Sequence, residues 1–110
     1  MQDRELPGLT HLGFLVLGIL LSGEQSGRAI RRALEAYRIR RSAPAFYQMM
    51  ARLERDGIVE GWYDQVKVGD QAVTERRYRA TAAGSRMWEG SYAFYDGVRA
   101  RVSDRRWSRA

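Results

Sequence analysis

The stretch Ser42-Ala43-Pro44-Ala45-Phe46-Tyr47-Gln48-Met49-Met50-Ala51-Arg52-Leu53-Glu54-Arg55-Asp56-Gly57-Ile58-Val59-Glu60-Gly61 leaves a short chain few choices of fold. A cap-forming serine and an early proline open a helix, a glycine closes it, and strand-forming residues follow at once. Phe46, Met49, Met50 and Leu53 recur at helical spacing and turn toward a core. The opposite face carries Tyr47, Gln48, Arg52 and Arg55, whose side chains can bond to bases and phosphates.

The flanking segments supply the rest of a small domain. Thr10 caps a first helix predicted to reach about Leu21. Its apolar run, Leu12 to Leu21, falls well short of the ~18 residues of a membrane span, so it reads as a central core helix. Ser22-Gly23 ends it. A second helix is predicted from near Ser26 to about Tyr37, with Ile30, Ala33, Leu34 and Tyr37 on one face and Arg28, Arg31, Arg32 and Glu35 on the other. Arg38-Ile39-Arg40-Arg41 then makes a basic connection into the Ser42 helix.

Beyond Gly57, Ile58 to Val66 and Val73 to Arg79 are strand-compatible and flank a Gly69-Asp70 turn, which predicts a β-hairpin. Its alternation is imperfect, which leaves the register open. Thr81 caps a final helix from Ala82 to about Asp104, roughly 35 Å long and too long to lie on so small a core. Asp104 to Ala110 reads as a frayed basic tail. Along this helix Met87, Trp88, Tyr92, Phe94, Tyr95, Val98 and Val102 form a broad apolar stripe that needs a partner, most simply a second copy of the chain.

Together these elements define a mainly α chain with a small β-hairpin, an α+β winged helix-turn-helix over residues 1–80, followed by a dimerisation helix and basic tail over 81–110. The 110 residues fit a single core. A net charge of +6 favours polyanions. Among 19 basic residues only Lys67 is lysine; arginine suits phosphates and guanine edges, although a GC-rich coding sequence produces the same bias. With no cysteine there is no disulfide framework or thiolate metal site. The mixed-charge start Met1-Gln2-Asp3-Arg4-Glu5 is unlike a secretory signal, and a cytoplasmic protein with no membrane partner is expected.

Several patches together resemble the PadR family of bacterial transcriptional regulators. Leu9-Thr10-His11-Leu12 with Leu17-Gly18-Ile19-Leu20 is similar to the family's opening helix. Ser42 to Tyr47, then Arg52-Leu53-Glu54-Arg55-Asp56-Gly57-Ile58-Val59-Glu60, is similar to its recognition helix and first wing strand. Arg77-Tyr78-Arg79-Ala80-Thr81-Ala82-Ala83-Gly84 resembles its passage from wing to last helix. The chain departs from the family at Ser26-Gly27-Arg28-Ala29, in place of a His-Gly-Tyr-Glu-like start, and at Pro44 and Ala45, where a glycine is common. These departures bear on operator and inducer more than on fold.

The resemblance implies a homodimeric repressor on a pseudo-palindromic operator, with the short form's single C-terminal helix building the dimer. It also implies that aromatic side chains there, Trp88 first and then Tyr92 and Tyr95, are candidates to line a site for a small aromatic effector; packing between subunits is the simpler account of them.

The DNA contacts expected from the residues are Tyr47, Gln48 and Arg52 in the major groove, Lys67, Arg76 and Arg77 on the wing, and Arg40, Arg41 and Ser42 ahead of the recognition helix. Solvated surface charge is the competing account of each. No constellation of catalytic residues is present, no cofactor or metal is implied, and the lone His11 has no sequence-adjacent metal partner. Two further readings fit the same composition: a winged helix that binds another protein, and an architectural DNA binder without sequence preference.

Overall fold

The computed structural model describes residues 8–108, and side chains through Asp104. Its elements in chain order are α1 (His11–Leu20), β1 (Gln25–Ser26), α2 (Gly27–Glu35), α3 (Ala43–Arg55), β2 (Val59–Val68), β3 (Gln71–Ala80) and α4 (Ala82–Ser108). Three of the helices start at the predicted caps: the hydroxyls of Thr10, Ser42 and Thr81 accept from the amides of Gly13, Ala45 and Gly84 at 3.0, 3.2 and 3.0 Å. Ser26 does the same for α2, accepting from Ala29 at 3.0 Å. Each bond satisfies a donor that the helix itself leaves free.

The core gathers Val16, Leu17 and Leu20 of α1, Ile30 and Leu34 of α2, Phe46, Met49 and Met50 of α3, Ile58 and Val59, and Tyr78 of β3. Leu53 packs at its edge, partly buried. The predicted apolar face of α3 is therefore the buried one. The prediction for Tyr37 fails: α2 stops at Glu35, Arg38 enters the left-handed region at φ 61°, and Tyr37 is turned out to 57% exposure. The amides of Arg38 and Ile39 donate back to the carbonyls of Glu35 and Leu34, closing the helix with an arginine where glycine is the usual residue.

The sheet is larger than the predicted hairpin. Gln25 and Ser26 pair antiparallel with Tyr78 and Arg77, giving the strand order β1-β3-β2. Strands β2 and β3 are ten residues each and pair from Val59 opposite Ala80 to Val68 opposite Gln71, around a two-residue Gly69-Asp70 turn with Gly69 at φ 64°. Only the base of this ribbon touches the core, so its far end projects as a wing.

Helix α4 also differs from expectation. It continues through Ser108 over 27 residues, where a fraying tail was expected from Asp104; Arg109 and Ala110 lie outside the described residues. Gly84, Met87, Trp88 and Ser91 face the rest of the chain, and from Tyr92 to Asp104 every residue is exposed. The molecule is accordingly elongated, 65 × 33 × 23 Å.

The contact that aims α4 is the approach of Gly84 to the backbone just ahead of β2, where a Cβ would fall 2.0 Å from the carbonyl oxygen of Ile58. Glycine-to-alanine inside a helix ordinarily stabilises by about 1 kcal/mol. Here the methyl meets backbone that cannot rotate away, so Gly84→Ala is expected to destabilise by about 1–3 kcal/mol or more in urea unfolding. A stabilised variant would mean that α4 does not lie this close to the backbone ahead of β2.

Candidate nucleic-acid interface

Burial of Phe46, Met49 and Met50 fixes the rotation of α3 and turns Gln48, Ala51, Arg52 and Arg55 to solvent. Tyr47 has a second role. Its ring meets Phe46 edge-on at 5.0 Å, and a Cβ on Gly27 would lie 2.6 Å from its hydroxyl. Tyr47 thus wedges the start of α2 against α3 while leaving 36% of its surface exposed. Ahead of α3, Arg40, Arg41 and the cap Ser42 are all exposed, and Nη2 of Arg31 donates to the Arg41 carbonyl at 3.1 Å.

On the wing, Lys67 stands exposed near the tip, opposite Ala72. Arg76 and Arg77 are placed differently: both are already ion-paired. Nη2 of Arg76 lies 2.6 Å from Oε1 of Glu54, on α3, with both side chains about three-quarters buried. The same guanidinium sits 4.6 Å over the ring of Tyr63 and 5.7 Å from that of Tyr78. Burial holds the Tyr78 phenol above its ordinary pKa, an effect partly offset by Arg76. Arg77 bonds to Glu75 at 2.6 Å and to Glu24 at 3.1 Å, which raises its pKa further. Arg79 pairs with its cross-strand partner Glu60 at 2.8 Å.

Gly61 is what admits the Glu54–Arg76 pair. A Cβ there would lie 3.0 Å from Arg76 Nη2 and from Glu54 Cδ, and 2.9 Å from the Tyr78 ring. Between α3 and the wing these residues border a hollow of about 440 Å³ that also touches Tyr47 and Ala51. Sequence reading missed Glu54, Gly61 and Glu24 as structural partners. The signal was charge complementarity between separated segments, which no local window contains.

At the other end of the chain, Met87 and Trp88 pack against the core, whereas Tyr92, Phe94, Tyr95, Val98 and Val102 are 38–59% exposed. The Trp88 ring stacks on Phe14 at 5.0 Å and on Tyr92 at 5.5 Å. A hollow of about 480 Å³ opens beside this stack between α1 and α4, lined by Phe14, Leu15, Ser91, Tyr92 and Tyr95 among others. The Ser91 hydroxyl is buried there without a hydrogen-bond partner. Among the described residues no group of three His, Cys, Asp or Glu side chains could hold a metal ion, and no helix is long and apolar enough to cross a membrane.

Three helices, a projecting two-stranded wing paired to a short third strand, and a long closing helix define a winged helix-turn-helix protein with a C-terminal helix. Solved structures make that class more specific. A PadR family transcriptional regulator from Eggerthella lenta aligns at 27% identity with a TM-score of 0.66, over 84% of this chain and 79% of that one. A PadR family regulator from Clostridium difficile aligns at TM-score 0.72 and 14% identity, over 86% and 97%. PadR of Bacillus subtilis, solved in complex with operator DNA, aligns at TM-score 0.59 and 19% identity, over 73% of this chain and 45% of that longer one. No protein-family model and no curated protein matches the sequence. The chain is thus a winged-helix protein whose fold is similar to that of PadR family transcriptional regulators.

The Glu54–Arg76 pair is the one side-chain ion pair joining α3 to the wing among the described residues. Arg76→Gln and Glu54→Gln are each expected to cost about 1–3 kcal/mol in urea unfolding, and the double variant about as much as either alone. Additive losses would mean that the two groups act independently and that the wing base is held by the backbone ladder.

Proposed function

We propose that the protein is a sequence-specific DNA-binding transcriptional regulator, a repressor that acts as a homodimer on a pseudo-palindromic operator. The observation that carries this reading is the exposed row Gln48 and Arg52, with Tyr47 beside it, on a helix whose other face is locked into the core next to a projecting wing. The PadR-like fold and the operator complex of a structural relative support the same reading. In this mechanism the N-terminal part of α3 enters the major groove, Gln48 and Arg52 reach base edges, and Lys67 meets backbone phosphate from the wing.

The dimer is assigned to the exposed half of α4. Tyr92, Phe94, Tyr95, Val98 and Val102 leave a contiguous apolar surface that a monomer would have to hydrate. Paired α4 helices set two copies of α3 about 34 Å apart, one turn of B-DNA. An aromatic effector is assigned to the hollow beside Tyr92 and Tyr95, where it would favour a helix arrangement with a different α3 spacing. Because Phe14 and Tyr92 stack on Trp88, that residue reports on the ligand through Tyr92 rather than stacking on it directly.

Selection from random duplexes, followed by mobility shift, tests the function. Wild type is expected to enrich a two-half-site sequence, and Arg52→Ala to lose about 1–3 kcal/mol with relaxed preference at one position. Binding without any enriched sequence would make the protein an architectural binder; no binding would leave a protein-interaction module. Phe94→Glu with Val98→Glu is expected to sediment as a folded monomer that has lost cooperative operator binding, and a persistent dimer would place the interface elsewhere. For the effector, planar phenols are expected to quench tryptophan fluorescence and weaken operator binding in wild type but not in Tyr95→Ala. Equal quenching in both would remove the ligand from this hollow.

A further inference from the structure

Two sets of arginines in this chain are placed differently. Those of β3 are neutralised within the molecule: Arg76 by Glu54, Arg77 by Glu24 and Glu75, and Arg79 by Glu60. Those of α2 and the turn after it are not. Arg28, Arg31 and Arg32 join Arg40 and Arg41 around a groove of about 560 Å³ whose lining contains a single carboxylate, Glu35. Among the described residues none of these five guanidiniums makes an ion pair. The bond from Arg31 to the Arg41 carbonyl fixes the turn against α2 but leaves both charges uncompensated.

The floor of the groove is apolar, formed by Leu34, Ile39 and Phe46. Like charges gathered over such a surface repel more strongly than in open water, and an anion relieves that repulsion. Guanidinium forks match phosphate oxygens two at a time. The groove also ends at Ser42, the cap of α3, so whatever it holds lies beside the end of the helix assigned to the major groove.

We propose that this groove is a clamp for successive phosphates of one DNA strand, grasping the backbone independently of sequence while α3 reads the bases. The proposal rests on the DNA-binding reading of α3 and adds Arg28, Arg31 and Arg32 to the contact surface. It divides the labour between two neighbouring regions: general affinity resides in α2 and its turn, and selectivity in Gln48 and Arg52. The shared chemistry also fits a free phosphate-bearing molecule, and the test separates the two.

The experiment compares the full chain with Arg28→Gln/Arg32→Gln/Arg40→Gln, on the selected operator and on a scrambled duplex of equal composition, across a range of salt. Each lost phosphate contact lowers the slope of log affinity against log salt by about 0.9, so a fall of about 2–3 is expected, with both duplexes weakened by a similar factor. Lysine at the same three positions is expected to keep the slope, and Arg86→Gln/Arg99→Gln/Arg101→Gln, which removes equal charge from exposed α4 sites, to change it less. An unchanged slope in the groove variant, an equal fall in the α4 variant, or a loss confined to the operator would overturn the clamp. Stoichiometric binding of inorganic pyrophosphate that the groove variant loses, with its DNA slope intact, would reassign the groove to a free phosphate ligand. If wild type binds no duplex at all, the regulator reading itself fails; if it selects an operator and the groove variant keeps the full slope, only the clamp does.

Discussion

The hydroxyl of Thr81 holds three elements at one point. It donates to the Gly57 carbonyl at 2.7 Å and accepts from the Gly84 amide at 3.0 Å, while the Thr81 amide donates to the Ile58 carbonyl at 3.2 Å. The turn that follows α3, the entry to the wing and the first turn of α4 therefore share a single hydrogen-bonded knot. Gly57, at φ 77°, and Gly84, with no room for a Cβ, are the residues that let the backbones come this close. The directions of α3, wing and α4 follow from that junction, and with them the placement of every surface assigned a role here.

The wing illustrates a general conflict between folding and binding. A ten-residue ribbon that leaves the core needs something to hold its base, and the nearest available groups are the arginines that a nucleic-acid reader would otherwise leave free. Glu54 takes Arg76, and Gly61 leaves the space for the pair. The cross-strand pair Glu60–Arg79 and the bonds of Arg77 continue the pattern. Positive charge on the wing's base is thereby converted into structure. In the proposed function, charge for binding is left to Arg52 on α3, Lys67 at the tip and the arginines around α2, none of which serves such a support.

What the sequence made legible was local. Thr10, Ser26, Ser42 and Thr81 announce helix starts because a cap and its target are three residues apart. Phe46, Met49 and Met50 mark a buried face because the spacing is that of one helix. The missing pieces join residues distant in the chain: Glu54 reaches Arg76 across 22 positions and Glu24 reaches Arg77 across 53. Strand β1 is two residues long, too short to show a period, and exists only because β3 lies beside it. Tyr37 fits the helical spacing of α2 but falls after the turn where that helix has stopped. Helix α4 outran its expected end because Ser103 and Asp104 are weak helix formers rather than breakers.

The same junction bears on how a repressor of this shape would respond to a ligand. Helix α4 is anchored at Gly84 by a backbone contact without slack, and from Tyr92 to Asp104 its residues are exposed. Such a helix, packed through Ser91 and exposed beyond it, would act as a rigid arm on its own domain. In the proposed dimer, a change in the angle between two α4 helices near Tyr95 cannot be absorbed by the Thr81 knot, whose bonds tie α4 to the turn that follows α3. The winged domains must swing with it, and the two recognition helices leave their one-turn spacing. Operator binding by the proposed dimer would be sensitive to that spacing, whereas the grip of each separate domain on backbone phosphate would not, so an effector at α4 would act on the paired reading of the operator more than on the affinity of either half for DNA.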